Sequence, residues 1–181
     1  APGSLWKWSR ESYLYQKSGD GTVICGICPN RCVLAPGDRS ACRSKVNLNG
    51  VLYTLAYGNP CSANVDPIEK KPLFHFLPGS RTFSIATPGC NFHCRHCQNY
   101  SISQVPPAAT LDLPECTPDD IVAGALKHGC SSISYTYTEP TIYMEYAKDI
   151  AEIAHQVGFF NTFVTNGYMT PEAVKTIAPV L

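Results

Sequence analysis

The sequence lacks an excess of either charge, long apolar runs and a recognisable leader. Its 14 Lys and Arg balance 14 Asp and Glu, which argues against affinity that comes from neutralising phosphates, and we expect no nucleic-acid partner. No apolar stretch approaches the roughly 18 residues of a membrane-spanning helix, and we expect no membrane association. The first residues show no charged flank ahead of an apolar core, which predicts no secretory signal. Apolar residues still make up 44% of the chain, too many for a disordered protein.

Cysteine is the residue in excess, with 10 in 181 residues. Seven cysteines form two groups at short spacing: Cys25, Cys28, Cys32 and Cys42 in the first, and Cys90, Cys94 and Cys97 in the second. A secreted scaffold would scatter its disulfide pairs, whereas bunched thiolates are typical of intracellular metal sites. The grouping therefore favours metal binding in a reducing compartment, with disulfides as the weaker alternative. The remaining three are predicted to be unliganded: Cys61, Cys116 and Cys130.

The pattern of the sequence changes near residue 80. Residues 1–80 carry many Pro, Gly and Asn turn signals between short apolar runs. They predict a Cys-rich region of loops and short strands with a metal site. The Asn49-Gly50 dipeptide ahead of an apolar run predicts a β-hairpin. The stretch 5–16 is the one candidate for a helix in this region.

Residues 81–181 predict strands that alternate with helices. β-rich segments cover residues 81–87, 132–138 and 160–166. Helix-start pairs at Thr117-Pro118 and Thr170-Pro171 follow the first and third segments, and a helical apolar stripe at residues 142–157 follows the second. Such alternation implies parallel strands joined by crossover helices, and hence an α/β fold.

The second cysteine group, Cys90-x3-Cys94-x2-Cys97, directly follows the first of these strands. In parallel α/β barrels the loops after the strands form the catalytic face. Three soft thiolates on one short loop suit an iron–sulfur cluster and leave one iron open to a small molecule. The alternative is a zinc site with His93 or His96 as its fourth ligand, for which the spacing is tight.

This motif, placed after the first strand of a βα series, resembles the signature of the radical S-adenosylmethionine (radical SAM) superfamily. The resemblance implies that Cys90, Cys94 and Cys97 hold a [4Fe-4S] cluster. The amino and carboxylate groups of S-adenosylmethionine would chelate its open iron. The resemblance also implies a partial radical SAM (β/α) barrel, made of the first three βα units of a TIM-like barrel. We expect residues 81–181 to be its first half, truncated at the C-terminus and preceded by the Cys-rich region of residues 1–80.

The same resemblance assigns S-adenosylmethionine binding to Glu139, Thr138, Asn166 and His96. Tyr137-Thr138-Glu139-Pro140 is similar to the Gly-Gly-Glu-Pro-like end of the superfamily's second strand, whose acid binds the amino group of S-adenosylmethionine. Asn166 lies in a Thr-Asn-Gly ending similar to that of enzymes that activate glycyl-radical proteins. The alternatives are a helix-start acid for Glu139 and a simple Asn-Gly turn for Asn166. His96 stands at a position that is usually aromatic.

Further motifs resemble the radical SAM member of the AmmeMemoRadiSam system, a group similar to pyruvate formate-lyase activating enzymes. They are Cys25-x2-Cys28-Pro29-x2-Cys32, the run of residues 66–76, Pro78-Gly79-Ser80 and Cys97-Gln98-Asn99. Within residues 66–76, Lys70, Lys71 or His75 either reaches the active site or belongs to a solvated loop.

The first cysteine group offers four soft ligands. A closed four-thiolate set suits structural zinc or an auxiliary iron–sulfur cluster, and spacing does not choose between them. Simple buried thiols are the remaining alternative.

Together these features predict a cytoplasmic radical SAM enzyme, an oxidoreductase similar to activating enzymes. It would cleave S-adenosylmethionine reductively to methionine and a 5′-deoxyadenosyl radical, which abstracts hydrogen from an unidentified substrate, with a protein as one candidate. An electron donor such as flavodoxin or ferredoxin would reduce the cluster. The alternatives are a zinc-binding structural or interaction module and a catalytically incomplete fragment.

Overall fold

A computed structural model describes residues 9–105 and 113–181. Its N-terminal part contains two small antiparallel sheets, with strand orders β1-β6-β5 and β2-β3-β4. The strands are β1 (Arg10–Glu11), β2 (Tyr15–Lys17), β3 (Val23–Cys25), β4 (Val33–Leu34), β5 (Lys45–Leu48) and β6 (Val51–Thr54). The predicted loop and strand character of this region is therefore confirmed.

Two local predictions for this region have opposite outcomes. The Asn49-Gly50 hairpin is confirmed, because β5 pairs with β6 and both turn residues have positive φ, at 52° and 81°. Such angles are those of a type I′ turn, whose twist matches the flanking strands. The helix over residues 5–16 is wrong where the structure describes it. Strands β1 and β2 lie there instead, and residues 5–8 are outside the described residues.

The α/β part is built on a four-stranded sheet with order β10-β9-β8-β7. Its strands are β7 (Ser62–Pro67), β8 (Arg81–Ala86), β9 (Ser132–Tyr135) and β10 (Phe160–Phe163). The helices are α1 (Tyr100–Ser103), α2 (Pro118–Lys127), α3 (Met144–Gln156) and α4 (Pro171–Ile177). Short 3-10 helices cover Ile68–Lys70, Pro140–Tyr143 and Ala178–Val180. Strands β8, β9 and β10 are parallel neighbours, so the predicted alternation is confirmed.

Both predicted helix starts are confirmed in atomic detail. The Thr117 hydroxyl accepts a hydrogen bond from the backbone N–H of Asp120, whose carboxylate accepts one from the backbone N–H of Thr117. This reciprocal capping box satisfies donors that the helix leaves unpaired. The Thr170 hydroxyl caps α4 by accepting from the backbone N–H of Ala173.

The sheet carries one strand that the sequence did not predict. Strand β7 pairs antiparallel with β8 along its whole length, from Ser62 opposite Ala86 to Pro67 opposite Arg81. Among the described residues the sheet is open and does not close into a barrel. The boundary expected between residues 80 and 81 separates two strands that pair with each other, and it stays a prediction.

Two apolar clusters hold the chain together. The larger joins the sheet to α2 and α3 through Phe83, Ile85, Ile133, Ile121 and Ile150. The second joins the N-terminal strands to the helices through Val23, Leu34, Leu52, Met144 and Ile177. Burying each such side chain stabilises the fold by about 1.5–3 kcal/mol. The second cluster thereby fixes the Cys-rich region against the α/β part.

Candidate functional site

The predicted site residues gather at the C-terminal ends of the parallel strands. Cys90 follows β8, Glu139 follows β9 and Asn166 follows β10. They share the wall of one cavity of about 260 Å³. Its lining consists of Cys90, Phe92, Cys94, Cys97, Ser103, Tyr137, Thr138, Glu139, Val164, Thr165 and Asn166. This is the edge of a parallel sheet at which ligands bind in α/β proteins.

The cysteine loop after β8 is held by backbone and amide hydrogen bonds. Gly89 donates its N–H to the Ile102 carbonyl at 2.9 Å, which ties the start of the loop to α1. The Gln104 amide donates to the Phe92 carbonyl at 3.0 Å. Gly89 has φ +104°, a conformation that side-chain-bearing residues rarely adopt. The loop therefore has a fixed start before the three thiols.

The three thiols of this loop lie close enough to influence one another. Cys90 and Cys97 are half-buried, whereas Cys94 is exposed. Burial raises the pKa of the Cys90 thiol, and the charges of Glu139, Cys94 and Cys97 raise it further. Soft metal binding to Cys90 would therefore displace a proton, as thiolate ligation normally does.

Glu139 is buried and its carboxylate accepts four hydrogen bonds. Oε1 accepts from the Thr141 N–H at 3.1 Å, the Thr141 hydroxyl at 2.5 Å and the Thr165 hydroxyl at 2.6 Å. Within residues 9–105 and 113–181, Oε2 accepts only from the Asn166 N–H, at 2.8 Å. A carboxylate has about four lone-pair positions, two on each oxygen, so Oε2 retains capacity for a cationic donor. Glu139 also caps the 3-10 helix Pro140–Tyr143. The alternative interpretation of Glu139 as an acid at a helix start is therefore correct as well, and it does not exclude a role in the cavity.

Thr138 and Tyr137 form the end of the second strand's motif. The Thr138 hydroxyl donates to the Thr87 carbonyl at 2.8 Å, and so links the ends of β9 and β8. Tyr137 has φ +63°, in the left-handed region that favours glycine. This angle explains why glycine is common at the matching place in the similar motif. The Asn99 amide donates to the Tyr137 carbonyl at 2.8 Å and helps to hold that conformation.

Asn91 belongs to the site and was missed by the sequence interpretation. Its Oδ1 accepts from the Asn166 amide at 2.9 Å, and its own amide donates to the Tyr168 carbonyl at 3.4 Å. Asn166 in turn accepts from the Tyr168 N–H at 2.9 Å, so the predicted Asn-Gly turn also exists. The side chain of Asn91 thus connects the cysteine loop to the end of β10.

Comparison with known proteins identifies the family. The model of the Radical SAM superfamily matches residues 84–180, which is more than half of the chain. The chain belongs to this superfamily. An uncharacterized protein of Methanocaldococcus jannaschii is 49% identical over 168 residues, covering 93% of this chain and 50% of that protein. The chain therefore spans about half the length of the curated relative it matches. No solved structure gives a significant match.

Radical SAM proteins in general use a [4Fe-4S] cluster and S-adenosylmethionine. The donor set here fits such a cluster in chemistry, because three thiols face one cavity beside a buried carboxylate. Among residues 9–105 and 113–181, no three His, Cys, Asp or Glu side chains already stand in a metal-binding arrangement.

His96 is the predicted cofactor-binding residue that the structure does not place on this cavity. Its side chain is exposed, as is that of His93, and neither is among the lining residues. The cofactor-binding role of His96 stays a prediction, as does the alternative in which His93 or His96 is the fourth ligand of a zinc site. His75, from the run of residues 66–76, is also exposed, whereas Lys70 and Lys71 line a neighbouring cavity.

The first cysteine group lies together at the end of β3. Cys25 donates its backbone N–H to the Cys32 carbonyl at 3.0 Å, and the Cys42 sulfur lies 3.1 Å and 3.0 Å from the hydroxyl oxygens of Ser40 and Ser44. Burial raises the pKa of Cys25 to about 12, and the charge of Cys42 also raises it. The set is thus a compact group of thiols, and its metal stays a prediction.

The two cysteine groups of this radical SAM protein are neighbours. Burial raises the pKa of Cys28, whereas the backbone of Asn30 and, to a smaller extent, the nearby side chain of Asn91 lower it. Asn91 therefore lies between a thiol of the first group and Asn166 of the second site. The three isolated cysteines lie elsewhere: Cys61 and Cys116 are half-buried and Cys130 is buried.

Among the described residues, none forms a helix that is both long and apolar enough to cross a bilayer.

Proposed function

We propose that this protein is a radical SAM enzyme that cleaves S-adenosylmethionine reductively, in the manner of activating enzymes. One observation carries the proposal. Cys90, Cys94 and Cys97 share a cavity with Glu139 and Asn166 at the C-terminal edge of the parallel strands. When bound there, a [4Fe-4S] cluster would supply one electron to the sulfonium, giving methionine and a 5′-deoxyadenosyl radical.

The chain's own residues have distinct tasks in this proposal. The three cysteines hold the cluster, and a single short loop leaves no fourth thiol on it. Glu139 Oε2, with its spare capacity, accepts from the amino group of S-adenosylmethionine, and a charge-assisted bond of this kind is stronger than a neutral one. Thr138 and Asn166 line the same cavity and position the ligand. His96 remains a candidate contact by its place in the motif.

The finer assignments are also proposals. Strands β8, β9 and β10 with their helices would be the first three units of a TIM-like barrel. The specific group is the radical SAM member of the AmmeMemoRadiSam system, similar to pyruvate formate-lyase activating enzymes. A flavodoxin or ferredoxin would reduce the cluster in the cytoplasm, and the substrate that loses hydrogen is unidentified.

The first cysteine group is proposed to hold structural zinc or an auxiliary iron–sulfur cluster. The charge of Cys42 acts on both Cys25 and Cys28, so these thiols lie near one another, and a closed four-thiolate site suits either metal. Elemental analysis separates the two metals directly. One equivalent of zinc per chain would indicate the former, and iron beyond that of one cluster would indicate the latter.

The deciding experiment is anaerobic reconstitution followed by reduction with dithionite in the presence of S-adenosylmethionine. We expect a brown protein that releases 5′-deoxyadenosine and methionine. A protein that binds zinc without iron and forms no 5′-deoxyadenosine would overturn the proposal in favour of a structural zinc module. The Cys94→Ser variant is the control, because the loss of one cluster ligand should abolish the product.

A further inference from the structure

A second cavity of about 360 Å³ adjoins the cluster cavity. The two cavities share Tyr137, Thr138 and Val164 as common wall. The other lining residues of the second cavity are Lys70, Lys71, Gln98, Asn99 and Thr136. A molecule in this cavity would therefore lie next to the place where the proposed radical forms.

Two lysines of this cavity share one carboxylate. Lys70 Nζ lies 2.8 Å from Asp66 Oδ1, and Lys71 Nζ lies 2.7 Å from Asp66 Oδ2. Burial opposes ionisation of Asp66, but hydrogen bonds from Lys70, Lys71 and Tyr137 outweigh it and hold the pKa of the carboxyl well below its usual range. Asp66 is therefore a full anion that balances only one of the two ammonium groups. The cluster of three residues keeps one positive charge in excess.

Lys71 is almost completely buried, lines the second cavity and has unused hydrogen-bonding capacity. Its side chain is 2% exposed and its ammonium lies 4.4 Å from the ring centre of Tyr137. Among the described residues its hydrogen-bond acceptor is Asp66. An ammonium has three donors, so the bond to Asp66 and the contact with the Tyr137 ring leave capacity for a further acceptor in the cavity. Burial lowers the pKa of Lys71, and the bond to Asp66 counteracts that effect.

A buried cation with spare donors is costly unless an acceptor fills the space beside it. Gln98, which follows the last cysteine of the cluster loop, lines the same cavity and has an amide group that can donate a hydrogen bond. Lys70 is 57% exposed along its side chain and stands at the entrance. Excess positive charge, a buried ammonium and an amide donor around one cavity are the features of an anion site.

We propose that this cavity binds an anionic group of the substrate, a carboxylate or a phosphate, with Lys71 and Lys70 as its donors. The assignment of this anionic group to the substrate rests on the proposed function, whereas the anion site itself is inferred from the geometry of the cavity. The competing role is structural, in which the Asp66 network only ties β7 to Tyr137 and binds nothing.

The first test is chemical footprinting of lysines in the anaerobically reconstituted protein. An amine-acetylating reagent is added with sodium phosphate or sodium succinate against sodium chloride at equal ionic strength, and mass spectrometry gives the acetylation rate of each lysine. We expect at least threefold slower acetylation of Lys70. Stronger protection by phosphate indicates a phosphate group, and stronger protection by succinate indicates a carboxylate.

Lys148 is the matched internal control. It pairs with Glu152 at i,i+4 and lies 5.8 Å from the ring centre of Tyr13, as Lys70 pairs with Asp66 at i,i+4 and lies 5.7 Å from the ring centre of Tyr137. Lys148 lines no anion cavity in our proposal, so its rate should not change. Equal protection of both lysines, or protection of neither, would overturn the anion site.

S-adenosylmethionine itself carries a carboxylate, so the footprint is repeated with it at saturation. If the cavity serves the substrate, S-adenosylmethionine alone leaves Lys70 reactive and added phosphate or succinate still protects it. Protection of Lys70 by S-adenosylmethionine alone would overturn the assignment to the substrate.

Titration calorimetry of variants gives an independent measure. The Lys70→Gln variant, altered at an exposed residue, should bind the protecting anion at least fivefold more weakly, whereas Lys148→Gln should bind it as the unmodified protein does. Equal affinity in all three proteins would contradict the proposal. The 5′-deoxyadenosine assay keeps the two proposals apart. Formation of 5′-deoxyadenosine without anion binding would contradict only the proposed anion site. Anion binding without 5′-deoxyadenosine would contradict only the proposed radical SAM reaction.

Discussion

Gly89 packs directly against the backbone of Cys42. A Cβ atom at Gly89 would lie 3.0 Å from the Cys42 carbonyl oxygen and 3.0 Å from Cδ1 of Ile142. The backbone of the first cysteine group, at Cys42, therefore contacts the start of the loop that carries the second group. With Asn91 beside Cys28, this contact makes the Cys-rich region a supporting wall of the cluster loop.

Gly89→Ala should displace the cluster loop and lower its iron content. Alanine at positive φ costs about 1–2 kcal/mol at any site, and here the methyl group also meets a carbonyl oxygen. Gly37→Ala is the matched control, because Gly37 has φ +94° and no atom lies within 4 Å of the place its added methyl group would take. We expect iron per chain to fall by more than half in Gly89→Ala and to be retained in Gly37→Ala. Equal losses would mean that backbone strain, and not the contact with Cys42, is responsible.

Local signals in the sequence predicted the helices of the α/β part well. Thr117 and Thr170 cap helices through contacts only three residues away, so the relevant atoms are adjacent in the chain. Strands β1, β2 and β7 were not predicted, because pairing with distant partners creates them. Strand β1 has two residues and is defined by its pairing with β6. Strand β7 is a polar edge strand that ends at Pro67.

The site residues that could be predicted from the sequence are those that belong to short motifs. Cys90, Glu139 and Asn166 were found because each sits in a short motif at a strand end. Asn91 forms hydrogen bonds with residues 75 and 77 positions away, and Asn99 forms one with a residue 38 positions away. Sequence spacing carries no signal for such pairs. The one available hint was Tyr137, a bulky residue at a place where glycine is common in the similar motif, and its positive φ shows why that place is special.

Glu139→Gln should weaken binding of S-adenosylmethionine. The change removes the negative charge and turns one oxygen into an amide donor, which cannot accept from the Asn166 N–H or from an ammonium. The loss of a charge-assisted bond is worth roughly 1.5–3 kcal/mol, or about 10- to 100-fold in Kd. Equilibrium dialysis of the reconstituted protein measures this, with Glu152→Gln on the exposed side of α3 as the control. Unchanged affinity in Glu139→Gln would leave Glu139 with its capping role alone.

Outside the apolar clusters, we expect the free energy of unfolding to fall most when one partner of the ion pair between Lys45 and Glu145 is replaced. Their side chains are 1% and 0% exposed, Nζ lies 2.5 Å from Oε2, and the Ser12 hydroxyl donates to the other carboxylate oxygen. Lys45→Met would leave Glu145 buried without a counter-charge, which costs about 3–5 kcal/mol. Urea unfolding measures the loss. Lys148→Met breaks the more exposed pair of Lys148 and Glu152 on α3, the helix that also carries Glu145. This change should lower the free energy of unfolding by no more than about 1 kcal/mol.

A double substitution tests whether the Lys45 effect is electrostatic. Replacing both partners, as in Lys45→Met with Glu145→Leu, removes the buried charges together. We expect the double variant to be more stable than Lys45→Met alone, because no uncompensated charge remains. A double variant as unstable as the sum of its two single changes would assign the loss to packing instead.

Cys28→Ser should remove the metal of the first cysteine group and also weaken the cluster site. Loss of one of four thiolates opens a closed metal site, so the corresponding zinc or iron should fall by most of its amount in elemental analysis. The cluster should be retained less completely as well, because Cys28 lies beside Asn91, which connects the cysteine loop to Asn166. Cys61→Ser is the matched control, since Cys61 is another half-buried thiol outside both cysteine groups, and it donates to the Ala86 carbonyl at 3.5 Å. Identical metal content in both variants would show that the first group holds no metal.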